Sequence, residues 1–272
     1  MEVCLSFITL TTDFGIKDGN VGVMKGVIWS IAGDVPIADI SHMIRPQDIA
    51  EAALVLARSA PYFPPGSIHV VVVDPGVGTD RRAIAARLGS HYFVCPDNGV
   101  LTLLLERVER ENGPIHIVHL DKPRYWRPEV SHVFHGRDIF SPVAAHLARG
   151  VPLADLGSPI FDPVRLPPRR PTRLPGRLVG EIIHVDHFGN LSSNIYQEDL
   201  EGQLVIAVRL RGVEIRRLVK SFGERPPGEL VALIGSTGNL IVAAVNDNAA
   251  ARLGANAGDR MEVEFESPGE DG

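Results

Sequence analysis

The run VVVVDPGVGTDRR at residues 70–82 constrains the fold more than any other stretch of the sequence. Its consecutive β-branched residues, 70–73, are typical of a strand that is buried on both faces, as in a parallel sheet. Asp74 follows directly, so a carboxylate is expected at the carboxyl end of this strand, where ligands of open α/β sheets bind. A turn rich in Pro and Gly then leads to Arg81. Asp74 and Arg81 are either a reactive pair or a turn-capping aspartate beside a surface arginine.

Strand and helix patterns alternate on both sides of this run. Strands are predicted at residues 5–11, 36–40, 70–73, 83–88, 91–95 and 115–120, and helices at residues 19–32, 49–60, 100–108 and 139–147. Asp48 opens the second of these helices, and Asp138 is placed to cap the last one. The alternation predicts an α/β domain over residues 1–160, with a mostly parallel sheet flanked by helices.

Polar residues stand beside Gly or Pro in several of the predicted loops, at Asp13, Asp74, Asn98 and His135. Each of them, taken alone, fits an ordinary turn or capping residue. Loops on a rigid scaffold are, however, where binding and catalytic residues concentrate. Several polar loops at one edge of a sheet are less easily explained as turns, so this edge is the candidate functional edge.

The character of the sequence changes after a Pro-rich linker, residues 161–176. Short strands separated by Gly-rich turns are predicted at residues 178–185, 203–210, 213–219, 230–235, 239–245 and 260–266, with a short helix at residues 248–253. They predict a small antiparallel, barrel-like β domain over residues 177–272. Two of its turns, 186–190 and 235–238, carry polar residues. Ligands are often held between domains, so we expect this domain to complete the substrate site.

Composition narrows the function classes. The formal net charge of −6 argues against a nucleic-acid binder, which usually carries a basic surplus. Cys4 and Cys95 form no CxxC pair, so neither a disulfide framework nor a thiolate zinc site is expected. The first residues lack the basic region of a signal peptide, and no apolar run approaches the ~18–20 residues that span a bilayer. We therefore expect a cytoplasmic protein with a small-molecule ligand and no metal.

Seven motifs spread over both predicted domains are distinctive when taken together. They are TLTTDFG (residues 9–15), DISHMIRPQD (39–48), VVDPGVGTDRRAI (72–84), PDNGVLT (96–102), FHGRDIFSP (134–142), VDHFGNLSSNI (185–195) and GSTGNL (235–240). In these motifs the sequence resembles the SAM hydroxide adenosyltransferases. These are S-adenosyl-L-methionine (SAM) hydrolases that form adenosine, and they are related to SAM-dependent chlorinases and fluorinases. The resemblance covers nearly the whole chain, and DPGVGT followed by FHGRD is its most specific part.

The resemblance implies that water attacks C5′ of the SAM ribose, so that methionine leaves and adenosine forms without a cofactor. It also implies a catalytic set that falls on Asp74, Arg81 and His135. Arg82 and His132 are close neighbours, although the FHGRD context favours His135 and the spacing favours Arg81. Making free hydroxide from water of pKa ~15.7 costs roughly 12 kcal/mol at neutral pH. The site is therefore expected to position and polarise a water, with the histidine either accepting a proton or orienting the water.

The halogenating relatives differ at the decisive position. They carry a tyrosine where this chain has Asp74 and a tryptophan where it has Gln47. A carboxylate at position 74 would repel a halide and would suit water. The sequence therefore favours hydrolysis over halogenation.

The resemblance further implies substrate contacts in both domains. The implied residues are Asp13, Asp186, Asn190, Ser236, Asn248 and Ala249. The two aspartates would bind the ribose hydroxyls or the nearby amino acid moiety, since carboxylates accept hydrogen bonds from a diol. Asn190 and Ser236 would bind polar groups of the substrate, including its carboxylate, although Thr237 replaces an arginine of the halogenating relatives. Asn248 and Ala249 would meet adenine through the backbone. The resemblance also implies a homotrimer with sites between subunits.

Three alternatives remain open at this point. One is a halogenase of the same fold. Another is a metal-dependent hydrolase that uses Asp13, Asp74, His42 and His135, although no two of these have a recognised ligand spacing. The third is a non-enzymatic adenosine or SAM sensor, which would need the binding residues but not the catalytic set.

Overall fold

The computed structural model of this protein describes residues 7–266. The chain divides into two compact units, of which the first ends at Leu166 and the second begins at Pro167. The division lies within the Pro-rich stretch, residues 161–176, that the sequence indicates as a linker. The first two residues of the predicted strand 5–11, and the outer ends of both predicted domains, lie outside the described residues.

The first unit is built around one mixed sheet. Its helices and strands are β1 (Ile8–Thr12), α1 (Asn20–Ala32), β2 (Ile37–Ser41), α2 (Ile49–Ser59), β3 (Ile68–Val72), β4 (Ala83–Leu88), β5 (His91–Pro96), α3 (Thr102–Arg110), β6 (Ile115–His119), α4 (Ser141–Ala148) and β7 (Ser158–Pro159). The strand order is β2-β1-β3-β5-β4-β6-β7. The first four of these run parallel, whereas β4, β6 and β7 are antiparallel to their neighbours. The predicted α/β fold is confirmed, and the parallel half carries the strand that leads to Asp74.

Alternate side chains of β3 and of the residue after it face opposite layers of the unit. Val70 and Val72 join a core with residues of α1 and α4, whereas Val71 and Val73 join a second core with α2 and α3. None of the four is more than 4% exposed. Burial on both faces explains why the sequence shows a continuous apolar run here instead of an alternating one.

The two predicted helix starts have different outcomes. Asp48 caps α2, because its Oδ1 accepts a 2.9 Å hydrogen bond from the backbone N–H of Glu51. The prediction that Asp138 caps the last helix is wrong. A π-helical turn, Gly136–Phe140, precedes α4 and already contains Asp138. The buried carboxylate of Asp138 instead accepts two hydrogen bonds from the Arg137 guanidinium.

The second unit is an antiparallel sheet that nearly closes into a barrel. Its elements are β8 (Thr172–Leu174), β9 (Arg177–Val185), β10 (Leu191–Tyr196), β11 (Val205–Leu210), β12 (Val213–Arg216), β13 (Leu230–Ile234), β14 (Asn239–Ala244), α5 (Ala249–Leu253) and β15 (Arg260–Phe265). The strand order is β12-β11-β15-β9-β10-β14-β13, with β8 beside β9. Closure comes from the chain after β12, where the Val219 N–H donates to the Ala232 carbonyl at 3.0 Å. The barrel-like prediction is confirmed, and β10 is a strand that the sequence did not predict.

Between residues 7 and 266, no helix has both the length and the apolar character that crossing a bilayer requires.

Candidate active site

The parallel strands of the first unit all end at one edge of the sheet. β1 and β3 stay in register up to Thr12 and Val72, and neighbouring strands lie ~4.8 Å apart. Asp13 therefore leaves the sheet beside the strand end that carries Asp74. The functional edge predicted from the sequence corresponds to the carboxyl ends of β1, β2, β3 and β5.

Asp74, Arg81 and His135 form a continuous hydrogen-bonded set at this edge. The Arg81 Nε–H donates to both carboxylate oxygens of Asp74, at 2.9 and 3.0 Å, and Nη2 donates to Asp74 as well. The same Nη2 donates to His135 Nδ1 at 2.8 Å. The side chains of Asp74 and Arg81 are only 5% and 10% exposed. The planar guanidinium thus joins a carboxylate to an imidazole and fixes the position of both.

A tight loop returns the chain from Asp74 to Arg81. The backbone N–H of Val77 donates to the Asp74 carbonyl at 3.2 Å, which begins the turn. Gly78 has a φ of +79°, and a side chain there would collide with the carbonyl oxygen of His132. The glycine therefore allows the loop to pack against the segment that leads to the candidate histidine.

His135 is held as a neutral imidazole. Burial lowers the pKa of His135 below its ordinary value of 6.5, and the neighbouring Arg81 cation lowers it further. Because a guanidinium only donates hydrogen bonds, Nδ1 must accept, and the ring proton lies on Nε2. His135 therefore presents an N–H donor, not a basic nitrogen, on its other side.

The motif FHGRDIF packs this histidine closely against the sheet. Gly136 lies so near β3 that a Cβ there would be 3.1 Å from a methyl group of Val72. The ring of Phe140 lies beside Arg81, with its centroid 5.4 Å from the guanidinium carbon. A cation held over an aromatic face is stabilised electrostatically. The π-helical turn thus begins directly after the histidine and supplies a ring that supports the arginine.

Arg82 and His132, the neighbours left open by the sequence, lie outside this set. Arg82 Nε donates to Asp97 at 2.8 Å, and its Nη1 donates to Asp162 at 2.8 Å. His132 is exposed, and it is its backbone carbonyl that faces the 74–81 loop. Arg82 is therefore part of a separate ion-pair cluster, and the structure brings Arg81 to the candidate histidine.

Two further polar residues near the edge have structural contacts. Asn98 Nδ2 donates to the Val73 carbonyl at 2.9 Å and so ties the end of β5 to the end of β3. Cys95 is fully buried, and burial raises the pKa of its thiol well above the ordinary value, so it stays protonated. Cys4 lies outside the described residues. Neither Asn98 nor Cys95 is therefore a candidate for the chemistry.

Asp13 lies at the same edge with one of its oxygens fixed. Its Oδ2 accepts a 2.8 Å hydrogen bond from the backbone N–H of Gln47. Gln47 has a φ of +66°, a conformation that is strained for a residue with a side chain. Within residues 7–266, Oδ1 of Asp13 has no hydrogen-bond partner, so it is available to a ligand.

Four of the predicted binding residues of the second unit lie together. Asp186 Oδ1 accepts the backbone N–H of Asn190 at 2.9 Å, and its Oδ2 accepts the side-chain amide of Asn190 at 2.8 Å. Gly189, in the same turn, packs so closely on Asn248 that a side chain at position 189 would collide with it. Ala249 follows Asn248 at the buried start of α5. The 186–190 turn and the start of α5 therefore form one cluster.

Ser236 is placed apart from that cluster. It is exposed in the hairpin turn between β13 and β14, and this turn leads into Asn239 at the start of β14. The 186–190 turn instead adjoins Leu191, which pairs with Val242 farther along β14. The predicted binding residues of this unit therefore form two groups at separate places along β14.

Within the part of the chain that the structure describes, no group of three or more His, Cys, Asp or Glu side chains could share a metal ion. His42, which the metal hypothesis included, contacts Thr12 and Asp39.

An aromatic pair that sequence reasoning did not single out joins two loops of the edge. The rings of Phe14 and Phe134 pack edge to face, with centroids 5.6 Å apart, and Arg137 lies over the Phe134 ring at 5.3 Å. Phe14 follows Asp13 directly, and Phe134 precedes His135. The aromatic residues within TDFG and FHGRD were the available signal for this contact.

Comparison with known proteins gives matches over most of the chain. The family profile described as SAM hydroxide adenosyltransferase N-terminal domain matches residues 8–157, and the profile of the C-terminal domain matches residues 180–262. An (R)-S-adenosyl-L-methionine hydrolase of Salinispora tropica is 41% identical over 263 residues, which cover 94% of this chain and 97% of the relative. A fluorinase of Actinoplanes is 30% identical over 221 residues, covering 71% of this chain and 73% of the relative. The crystal structure of an uncharacterised conserved protein of Thermotoga maritima superposes with a TM-score of 0.85 at 37% identity, over 94% of this chain and 99% of that chain.

Proposed function

Since the chain belongs to the SAM hydroxide adenosyltransferase family, we propose that it hydrolyses S-adenosyl-L-methionine to adenosine and L-methionine by in-line attack of water on the ribose C5′. The observation that carries this proposal is the set in which Arg81 joins Asp74 to His135 at the sheet edge. The Salinispora relative is named for the R epimer of SAM. We therefore take the R configuration at the sulfonium as the preferred substrate.

The leaving group of this reaction needs no acid. When the C5′–S bond breaks, the sulfonium takes the bonding pair and departs as the neutral thioether of methionine. The nucleophile is the difficulty, because free hydroxide at neutral pH costs roughly 12 kcal/mol. The site is therefore expected to polarise a bound water as it attacks.

The three residues of the set have different roles in that attack. Arg81 supplies a fixed positive charge, and the N–H groups of its Nη1 have no partner within residues 7–266, so they can donate to the developing hydroxide. His135 supplies a second donor from Nε2 and so orients the water. Asp74 is the acceptor for the water's hydrogen and takes the proton that adenosine does not keep. Holding the water in line with the C5′–S bond supplies a large part of the acceleration.

A halide fits the same position poorly. The Asp74 carboxylate is 5% exposed, and a negative charge at close range repels an anion strongly when little water screens it. The fluorinase relative is also more distant, at 30% identity against 41% for the hydrolase. Both observations favour water as the nucleophile.

We place the substrate against both predicted groups of binding residues. Oδ1 of Asp13 accepts from the ribose diol, and the cluster of Asp186, Asn190 and the start of α5 binds the adenosine end, with Asp186 on the ribose or the adjacent amino acid. Ser236 binds the methionine carboxylate. SAM is elongated, with adenosine and methionine on opposite sides of its sulfur, which suits two separate groups along β14.

The family resemblance further supports a homotrimer, in which the second unit of one chain completes the site of its neighbour. A solution mass of three chains, measured by light scattering, is the expected result.

The function is tested with the purified protein and each SAM epimer in turn, with products separated by chromatography. We expect equal amounts of adenosine and methionine, formed faster from the R epimer. The yield should be unaffected by a strong chelator, and chloride should give no halogenated nucleoside. Asp74→Ala should bind SAM as wild type does but lose turnover.

Other outcomes would contradict specific parts of the proposal. An unchanged product yield in Asp74→Ala would remove Asp74 from the mechanism. SAM binding without product in the wild type would indicate a sensor. Loss of activity with the chelator would indicate a metal-dependent hydrolase, and a halogenated product would indicate a halogenase.

A further inference from the structure

The segment 39–48 (DISHMIRPQD) takes no part in the mechanism above, yet it contacts the loop 12–15 (TDFG) at several points. One contact is made by Thr12, one by the carboxylate of Asp13 and one by the backbone of Gly15. The loop that carries a proposed substrate ligand is therefore held by a second segment of the same sheet edge.

The contact before Asp13 is a buried chain of side chains. The Thr12 hydroxyl lies 2.9 Å from His42 Nδ1, and the two residues are 0% and 8% exposed. Asp39 Oδ1 lies 3.0 Å from His42 Nε2. The ring N–H is not aimed directly at this oxygen, so the attraction is mainly electrostatic. The other oxygen of Asp39 accepts a 2.6 Å hydrogen bond from the Lys25 ammonium.

The charges of Lys25 and Asp39 determine which nitrogen of His42 carries the ring proton. Partial burial raises the pKa of Asp39, but the hydrogen bond from Lys25 and the electrostatic attraction of Lys25 and His42 lower it overall, so Asp39 is a carboxylate at neutral pH. The carboxylate attracts the ring proton to Nε2 and leaves Nδ1 to accept the hydroxyl hydrogen of Thr12. The Thr12 oxygen is then free to accept the backbone N–H of Phe14, at 3.3 Å.

The other contacts lie on the carboxylate of Asp13 and beyond it. Asp13 Oδ2 accepts the Gln47 N–H at 2.8 Å, and the Gly15 N–H donates to the His42 carbonyl at 2.8 Å. Gln47 adopts its positive φ of +66° at this contact. Strained backbone of this kind persists where the surrounding structure determines it, and it is concentrated at functional sites.

We propose that Thr12 and His42 are positioning residues, which hold the Asp13 carboxylate in one orientation toward the ribose diol of the substrate. The inference rests on the proposed function, because it takes a ribose as the ligand of Asp13. Asp13 leaves the sheet beside the strand end of Asp74. The orientation of the ribose therefore sets the line between C5′ and the attacking water, and a small tilt lowers the rate.

β1 contains a second buried contact between a threonine and a histidine, which serves as a control that separates a positioning role from a general effect on stability. The Thr9 hydroxyl lies 2.7 Å from His69 Nδ1, and both residues are fully buried. This is the same type of contact as that between Thr12 and His42, but it lies near the start of the strand, away from Asp13. Thr9→Val and Thr12→Val each remove one buried hydroxyl from β1 while keeping the branched shape.

The test measures binding of adenosine and of 2′,3′-dideoxyadenosine by calorimetry, with folding checked by thermal melting. The proteins are wild type, Thr12→Val, Thr12→Ser and Thr9→Val. We expect wild type to bind adenosine more tightly than the dideoxy ligand. Thr12→Val should lose about tenfold of that preference, which is the effect of losing one hydrogen bond between the diol and the charged Asp13 carboxylate. Affinity for the dideoxy ligand should stay constant, SAM turnover should fall only in Thr12→Val, and Thr12→Ser and Thr9→Val should match wild type.

Two results would overturn the positioning role. An equal loss of affinity for both ligands in Thr12→Val would mean that Thr12 only supports the fold. A full diol preference in that variant would mean that Asp13 does not depend on it. If Thr12→Val does not fold, His42→Gln, which lacks a ring nitrogen at the Nδ1 position, provides the same comparison. Absence of adenosine production by wild type would overturn the proposed function, and the ligand preference would still decide the positioning role.

Discussion

Replacing Arg81 by lysine keeps one positive charge at the site and removes the fork that joins two partners. Arg81 reaches Asp74 through Nε and reaches His135 through Nη2. A lysine ammonium is a single point charge on a flexible stem and cannot reproduce both contacts. We expect kcat to fall while KM for SAM changes less, because Arg81 acts on charge that develops only during attack.

The size of the effect follows from the contacts that are lost. Removing one preorganised donor from a developing oxyanion costs about 2.7–4 kcal/mol, which is a fall of ~10²–10³ in kcat. The Asp74 carboxylate is 5% exposed, and in the variant the lysine ammonium still neutralises part of its buried charge. The loss of charge-assisted hydrogen bonds should lower the free energy of unfolding by about 1.5–3 kcal/mol.

Arg82→Lys is the matched control for this change. Arg82 is the adjacent residue and pairs with Asp97 and Asp162 through the same kind of fork. Both variants are assayed for initial rates of adenosine formation at saturating SAM, and their stability is measured by urea unfolding. The reasoning is refuted if Arg81→Lys keeps the kcat of wild type, or if Arg82→Lys loses as much kcat as Arg81→Lys.

Two further predictions concern histidines whose pKa is lowered. The neutral form of His135 accepts a hydrogen bond from Arg81, so kcat/KM should stay constant as the pH falls to 6.5 and should decline only below that pH. A profile in which kcat/KM reaches half of its maximum at pH 6.5 or above would contradict this role. Burial and the nearby His91 lower the pKa of His69 to about 3 from 6.5. As the pH falls, His69 therefore becomes protonated in the unfolded chain before it does in the folded protein. The free energy of unfolding should fall by ~1.4 kcal/mol per pH unit below 6.5, towards a total loss of about 5 kcal/mol. Because His91, His135 and His146 also have a lowered pKa, urea unfolding of His69→Gln should show a shallower slope than wild type, whereas the exposed His116→Gln should keep the slope of wild type; equal slopes in the two variants would contradict the assignment.

The sequence predicted the central strand because its composition leaves few alternatives. A continuous β-branched run suits only a strand buried on both faces, and the alternating packing of the residues 70–73 is the reason. The spacing of Asp74 and Arg81 also placed them across one turn. It did not exclude Arg82, because both arginines follow the same loop. Only the path of the chain at Gly78 and the partners of Arg82 distinguish them.

Strand β10 was not predicted because three consecutive buried residues in it, Ser192, Ser193 and Asn194, are polar. Ser193, which is fully buried, donates from its hydroxyl to the Leu240 carbonyl at 2.8 Å, and Asn194 Oδ1 accepts the Glu181 N–H at 2.8 Å. Hydrophobic periodicity detects apolar faces and has no signal for a strand whose side chains bond to the backbone of other strands. The residues that resemble a loop in the sequence are therefore an inner strand of the barrel.

The error at Asp138 has a different cause. The capping rule places an aspartate just before a helix, but here a π-helical turn begins earlier, at Gly136, and includes it. The carboxylate is fully buried and is used by Arg137 and by the backbone N–H of Ser131. The contact between Thr12 and His42 is similar in kind, because it joins residues that are 30 positions apart and depends on the sheet register. Neither arrangement follows from local sequence.

The most direct test of the central claim is hydrolysis of SAM in heavy-oxygen water, followed by mass spectrometry of the products. Attack of water on C5′ predicts adenosine that carries one heavy oxygen at its 5′ position, together with unlabelled methionine. Unlabelled adenosine, or methylthioadenosine with a label in the amino acid fragment, would contradict the account.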